Sequence, residues 1–169
     1  MEAIFTRRSI RRYDDRPVEA GAVDKLLAAA MAAPSAGNEQ PWEFIVVTDQ
    51  ATREEITRVH PYSQMLRQAP VAIVVCADTA RSRYPVDYWI QDCAAATQNI
   101  LLAAAAIGLG TCWLGVHPVA ERVEGVRRLL AIPDTIVPFA IVAVGHPAEQ
   151  GGRVDRFDPT RIHHERYGR

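Results

Sequence analysis

The chain has 169 residues, 49% of them hydrophobic, and its 19 basic against 20 acidic side chains leave a formal net charge of −1. That balance argues against a general nucleic-acid or membrane-surface binder, and no run of about 18 apolar residues free of polar breaks offers a membrane span. A chain of this length is expected to form one domain over 1–169 and to bury roughly 70% of its unfolded surface.

A short helix is expected over Glu2–Thr6. Arg7 and Arg8 lead into further charge and not into the apolar run of a signal peptide, so a cytoplasmic location is expected. Val18–Ala33 reads as a longer helix, opened after Pro17 and stopped by Pro34. Trp42–Thr48 is apolar and β-branched, hence a strand. Thr52–His60 is a helix ended by Pro61, and a short helical piece follows at Ser63–Gln68. The unbroken apolar run Val71–Cys76 suits a strand buried on both faces. The longest helix is expected over Val86–Ile107, with Gly108 as its C-terminal cap. A strand at Thr111–Val116, a helix at Val119–Leu130 and a strand at Val137–Val144 complete the pattern, and 146–169 reads as an extended polar tail. The class is α+β, with helices packed around a central sheet.

Two polar segments carry the chemistry. In Arg7-Arg8-Ser9-Ile10-Arg11, residues 7, 9 and 11 alternate, so an extended backbone presents Arg7, Ser9 and Arg11 on one side. Guanidinium groups with a neighbouring hydroxyl suit a phosphate, although a solvated basic terminus gives the same residues. Pro34-Ser35-Ala36-Gly37-Asn38-Glu39-Gln40-Pro41-Trp42 supplies amide and hydroxyl groups on a stiff loop. Such groups can pair with the donor/acceptor edge of a heterocycle, and equally make an ordinary helix-to-strand turn. Flavin mononucleotide (FMN) has both a phosphate and such a ring edge.

Other constellations are excluded. Gly108-Leu109-Gly110 begins like a dinucleotide fingerprint, but the third glycine is missing and the order is helix then strand. Lys25 is the only lysine and follows no glycine-rich run, so no P-loop exists. The five histidines are scattered without ligand spacing, and no metal site is expected. Cys76, Cys93 and Cys112 lie in apolar segments, as reduced, inert thiols. Asp92, in the long helix, reads either as a buried acid or as a helix-face residue.

Taken in order, R-R-S-I-R, P-S-A-G-N-E-Q-P-W, the Ala-rich helix into G-L-G-T-C-W-L-G, V-G-H-P and D-R-F-D-P-T-R-I-H-H-E-R-Y resemble the nitroreductase family of FMN-dependent oxidoreductases. The resemblance implies a mainly antiparallel sheet flanked by helices, in an intertwined homodimer with two FMN sites at the subunit interface. By residue-wise correspondence, Arg7, Arg8, Ser9 and Arg11 would hold the phosphate and the N1/C2 side of the ring. Pro34, Ser35 and Asn38 would reach the partner's flavin. Leu114 and Gly115 would lie near N5, and Arg156, with Arg153, would close on the phosphate. The implied reaction takes hydride from NAD(P)H to flavin N5 and on to a small nitroaromatic or quinone acceptor, in two half-reactions. No covalent nucleophile is required. Reductive dehalogenation or flavin cleavage within the same superfamily, and a non-enzymatic flavin-binding or storage protein, are the alternatives. The short segment 78–88 leaves little room for a large lid, and either Gln64 or Arg67 is expected to reach the ring.

Overall fold

The computed structural model describes residues 1–168. Its elements are α1 (Glu2–Thr6), α2 (Ala20–Met31), β1 (Trp42–Val47), α3 (Gln50–Val59), β2 (Val71–Asp78), α4 (Trp89–Ala106), β3 (Gly110–Gly115), α5 (Ala120–Leu129) and β4 (Ile136–Gly145). Four strands form one sheet in the order β1-β2-β4-β3, and each neighbouring pair is antiparallel.

β2 and β4 occupy the middle because both their faces are apolar. Ile73, Val75 and Val142 pack with Leu26 and Ala30 of α2 and with Ile100 and Ala104 of α4. Val74, Ile141 and Ala143 pack with Ile56 of α3, Val126 of α5 and Leu66. Two cores therefore share one sheet, as the unbroken apolar runs require. The pairing of β2 with β4 shifts between Val75 and Cys76, where Pro138 stands opposite Cys76 and skips Phe139. Proline cannot donate to the ladder, which favours a bulge at this point. The Phe139 carbonyl then accepts the N–H groups of Val116 (3.1 Å) and His117 (3.0 Å), which fixes the chain just beyond β3.

β3 is an edge strand, and the N-terminal segment docks on part of its free side. Ser9 bridges Thr111 in parallel, and the Ile10 N–H donates to the Thr111 carbonyl at 2.8 Å. The chain beyond β4 then holds the other side of this segment. Ala148 N–H donates to the Arg12 carbonyl (2.9 Å), and the Glu149 carboxylate accepts from the N–H groups of Arg11 (2.6 Å) and Arg12 (3.2 Å). Further on, Val154 N–H donates to the Phe5 carbonyl at 3.1 Å.

Expected and observed elements agree closely. Gly108 ends α4 with φ of +79°, as a C-terminal cap requires. α3 begins two residues earlier than expected because Asp49 caps it, accepting from Thr52 N–H at 2.8 Å. α4 begins at Trp89 and not at Val86: Tyr88 N–H donates to the Val86 carbonyl (2.8 Å) and the Trp89 indole N–H to Asp87 (3.0 Å), a turn that precedes the helix. Among the described residues no helix is long and apolar enough to cross a membrane.

The seat of the N-terminal segment depends on Gly110. A Cβ there would stand 2.9 Å from three Ile10 side-chain carbons, whereas one at Gly21 in α2 would meet nothing within 4 Å. Gly110→Ala is expected to lose about 1–3 kcal/mol, and Gly21→Ala to gain up to about 1 kcal/mol from helix propensity. Thermal unfolding of both variants checks the opposite signs.

Candidate functional site

Strand geometry exposes polar backbone at one end of β3. In an antiparallel pair the N–H and C=O of one residue point the same way, and successive residues alternate. Thr111 turns its carbonyl outward to Ile10, so Trp113 and Gly115 also present their polar groups at the outer edge. The N-terminal segment covers the edge only at Thr111. Beyond it lies a cavity of about 500 Å³, lined by Arg11, His60, Gln64, Met65, Leu114, Gly115 and Arg122 among others. A Cβ added at Gly115 would meet no heavy atom within 4 Å, so space is open directly over that residue.

The wall of this cavity carries two arginines and one side-chain amide. Arg11 enters from the docked N-terminal segment, and Gln64 and Met65 from the 3-10 turn Gln64–Arg67. Of the two candidates in that turn, Gln64 lines the cavity, while Arg67 donates to the Gln64 side-chain oxygen at 3.1 Å. The turn itself is held by buried Arg53, whose guanidinium donates to the carbonyls of Leu66 (2.8 Å) and Ala69.

His60 is 1% exposed and sits where α3 ends. Its Nε2 lies 2.9 Å from the Gly115 carbonyl oxygen. A carbonyl only accepts, so Nε2 carries the proton, and Nδ1 of the neutral ring is a buried acceptor without a partner among the described residues. Burial pushes the His60 pKa below the ordinary 6.5, and the positive charge of Arg122 adds to this. Arg122 donates to the same Gly115 oxygen at 3.0 Å and lies 5.3 Å from the Tyr62 ring centre.

The loop after α2 occupies another place. Ala36–Asn38 forms a 3-10 turn, with positive φ at Gly37 (+55°), Asn38 (+57°) and Gln40 (+50°). Its anchor is Asp92, which is 5% exposed and accepts the Ala36 N–H at 3.0 Å. Asp92 is thus the buried acid of the two readings, and burial raises its pKa. Ser35 Oγ accepts from Gln40 N–H (3.0 Å), and Glu39 accepts from Arg83 N–H (2.6 Å). Pro34 and Asn38 are exposed, and none of Pro34, Ser35 and Asn38 lines the β3-edge cavity of the same chain.

The remaining cations lie near α1. Arg7, Arg8 and Arg156 line a recess of about 330 Å³ together with Phe5, Asp155 and Phe157. Ser9 is exposed beside them in sequence. Arg153 is engaged elsewhere, pairing with Glu2 at 3.1 Å and lying 4.6 Å from the Phe5 ring centre. The three cysteines are free and buried, and burial pushes the Cys76 and Cys93 thiols up to about 12, far from nucleophilic range. His60 and Arg122 escaped the sequence reading. They are 62 residues apart, and only the fold joins them at Gly115.

Comparison with known proteins adds a consistent picture. The sequence model described as "Nitroreductase family" matches residues 4–146. A Methanothermobacter thermautotrophicus protein with the provisional name NADH dehydrogenase/NAD(P)H nitroreductase is 53% identical over 99% of this chain and 87% of its own length. A crystal structure from Clostridium acetobutylicum, provisionally named an NADH oxidase, superposes with a TM-score of 0.94 at 44% identity, covering 98% of this chain and 99% of that one. A provisionally named nitroreductase from Desulfovibrio desulfuricans, solved in complex with FMN, gives a TM-score of 0.84 at 36% identity, covering 98% and 96%.

Two outcomes test the local chemistry. The unfolded chain binds a proton at His60 near the ordinary 6.5 that the folded chain resists. Stability is therefore full above that value and falls as pH drops below it, until folded His60 itself titrates. Urea unfolding between about pH 7.5 and 5 should show this slope, and His60→Gln should flatten it. At Asp92, replacement by Asn keeps the acceptor for Ala36 N–H and removes a buried charge. Asp92→Asn, which keeps that acceptor but sets an NH2 at the Oδ2 position, partnerless among the described residues, should lose less stability at neutral pH than Asp92→Ala, which should lose about 1–3 kcal/mol by orphaning the Ala36 N–H.

Proposed function

The chain belongs to the nitroreductase family, and on that footing we propose that it is an FMN-dependent oxidoreductase carrying reducing equivalents from NAD(P)H to a small nitroaromatic or quinone-type acceptor. The observation that carries this reading is the open cavity at the free edge of β3, with backbone polar groups on one side and Arg11 on another. Its volume of about 500 Å³ suits a flat heterocycle, and the vacant space over Gly115 lets a ring approach the backbone closely.

When bound, FMN supplies the hydride-accepting and electron-donating chemistry at its N5. The chain supplies position and field. Leu114 and Gly115 would hold the N5 side of the ring from the end of β3. Arg11 would offset negative charge gathered on the ring, since a fixed cation in a partly enclosed site costs no reorganisation during reaction. Arg7, Arg8, Ser9 and Arg156 would hold the phosphate, because guanidinium forks match its oxygens. Arg153, with its present pairing to Glu2, would join them by exchanging partners.

Pro34, Ser35 and Asn38 complete the proposal through a second copy of the chain. They are anchored by Asp92 but stand outside their own chain's β3-edge cavity, so they would serve the site of a partner in a homodimer. Three free, buried thiols suit the reducing cytoplasm.

The purified protein should carry, or take up, a yellow flavin that bleaches under anaerobic NADPH or NADH and recolours on adding a quinone or nitroaromatic. A visible spectrum at each stage is the measurement. Flavin that binds without bleaching would move the reading to storage, and failure to bind added FMN would sink it. Within a working enzyme, Arg11→Ala should lower turnover by at least about tenfold, the scale of one lost electrostatic donor, as steady-state NADPH oxidation would show.

A further inference from the structure

The peptide joining Gly115 to Val116 is held by three hydrogen bonds. Its oxygen accepts from His60 Nε2 (2.9 Å) and Arg122 Nη1 (3.0 Å), and its N–H donates to the Phe139 carbonyl (3.1 Å). The two donors on the oxygen arrive from separate elements, the end of α3 and the first turns of α5. Folding alone does not explain this convergence. The residue is exposed, so water would satisfy its carbonyl. An apolar side chain at position 60 would also pack without leaving a buried nitrogen unpartnered, as Nδ1 now is among the described residues.

Gly115 is also the residue at which the backbone is most free to turn, since it lacks a Cβ. On its N-terminal side, Leu114 is paired into the sheet opposite Ile141. On its C-terminal side, the peptide plane is held by the Val116 N–H bond to Phe139 and by the two donors on its carbonyl. A side chain at residue 115 would enter the open space of the cavity, and the fixed carbonyl restores part of the rigidity that glycine gives up.

We propose that His60 and Arg122 are positioning residues: by fixing the Gly115 carbonyl from two directions, they set the conformation in which the chain leaves β3 and so hold the cavity edge at Gly115 in the arrangement that a flavin ring needs. This rests on the flavin reading above. Arg122 has a second restraint in the face of the Tyr62 ring and no ion-pair partner among the described residues, so its guanidinium is committed to this carbonyl and that ring.

The test compares His60→Leu, His60→Gln and Arg122→Met with the native protein. Three readouts are needed: apoprotein melting temperature, FMN dissociation constant by fluorescence quenching, and the visible spectrum and midpoint potential of the bound flavin. His60→Leu and Arg122→Met should each weaken FMN binding by about five- to tenfold, the scale of one hydrogen bond, and should shift the spectrum and potential. His60→Gln, which keeps a donor, should recover most of the native values. If His60→Leu does not fold, Arg122→Met still decides, because Arg122 lies outside both apolar cores. A folded Arg122→Met protein with native FMN affinity, spectrum and potential would overturn the proposal. Failure of the native protein itself to bind FMN is a different result, and it would remove the functional reading together with this one.

Discussion

A sheet covered on both faces can do chemistry only at its edges and strand ends, and this constraint organises the molecule. Ile73, Val75 and Val142 are committed to one core, and Val74, Ile141 and Ala143 to the other. β2 and β4 are therefore unavailable to a ligand. β1 and β3 are the edges, and among the described residues only β3 has a docked polar segment beside it. The cavity opens where that docking stops. Hydrophobic burial thus selects the location of the site before any polar residue specifies it.

The polar residues then act mainly through backbone. Glu149 accepts from two N–H groups of the N-terminal segment, Arg53 holds the carbonyls of a 3-10 turn, and Asp92 holds one N–H of the loop after α2. Each places a charge where burial or partial burial makes its hydrogen bond stronger and its loss more damaging. Exposed pairs such as Arg16–Asp14 and Arg161–Asp158 sit in solvent and contribute little to that scaffold.

Much of this was legible in the sequence. Proline and glycine marked the ends of α2, α3 and α4, the apolar run of β2 announced a strand buried on both faces, and β4 was read as a strand without its double burial. Arg11, Leu114 and Gly115 were read from their motifs, and the fold brings all three to one cavity. The start of α4 was misjudged because a side chain two residues before its first, Asp87, captures the Trp89 indole, and hydrophobic period does not encode such a bond. His60 and Arg122 were illegible for a different reason. Each is locally an ordinary residue at a helix end or on a helix face, and their meeting at one carbonyl is a product of tertiary packing. Asp92 stood between: its burial follows from its place on α4, but its partner, the Ala36 N–H, lies 56 residues away.

The pairing of residues 5–14 with 146–154 has a consequence for how the protein is made. Synthesis runs from the N-terminus, so Arg7, Ser9 and Arg11 leave the ribosome long before Thr111, Ala148, Glu149 and Val154 exist to receive them. The helices and β1 with β2 form local contacts as they emerge, but this basic strand must wait as a solvated arm. The ligand cavity is consequently among the last features to take shape. A nascent chain halted before β3 would hold part of its apolar core and lack the strand edge on which the cavity is built, so closure of that edge marks finished synthesis.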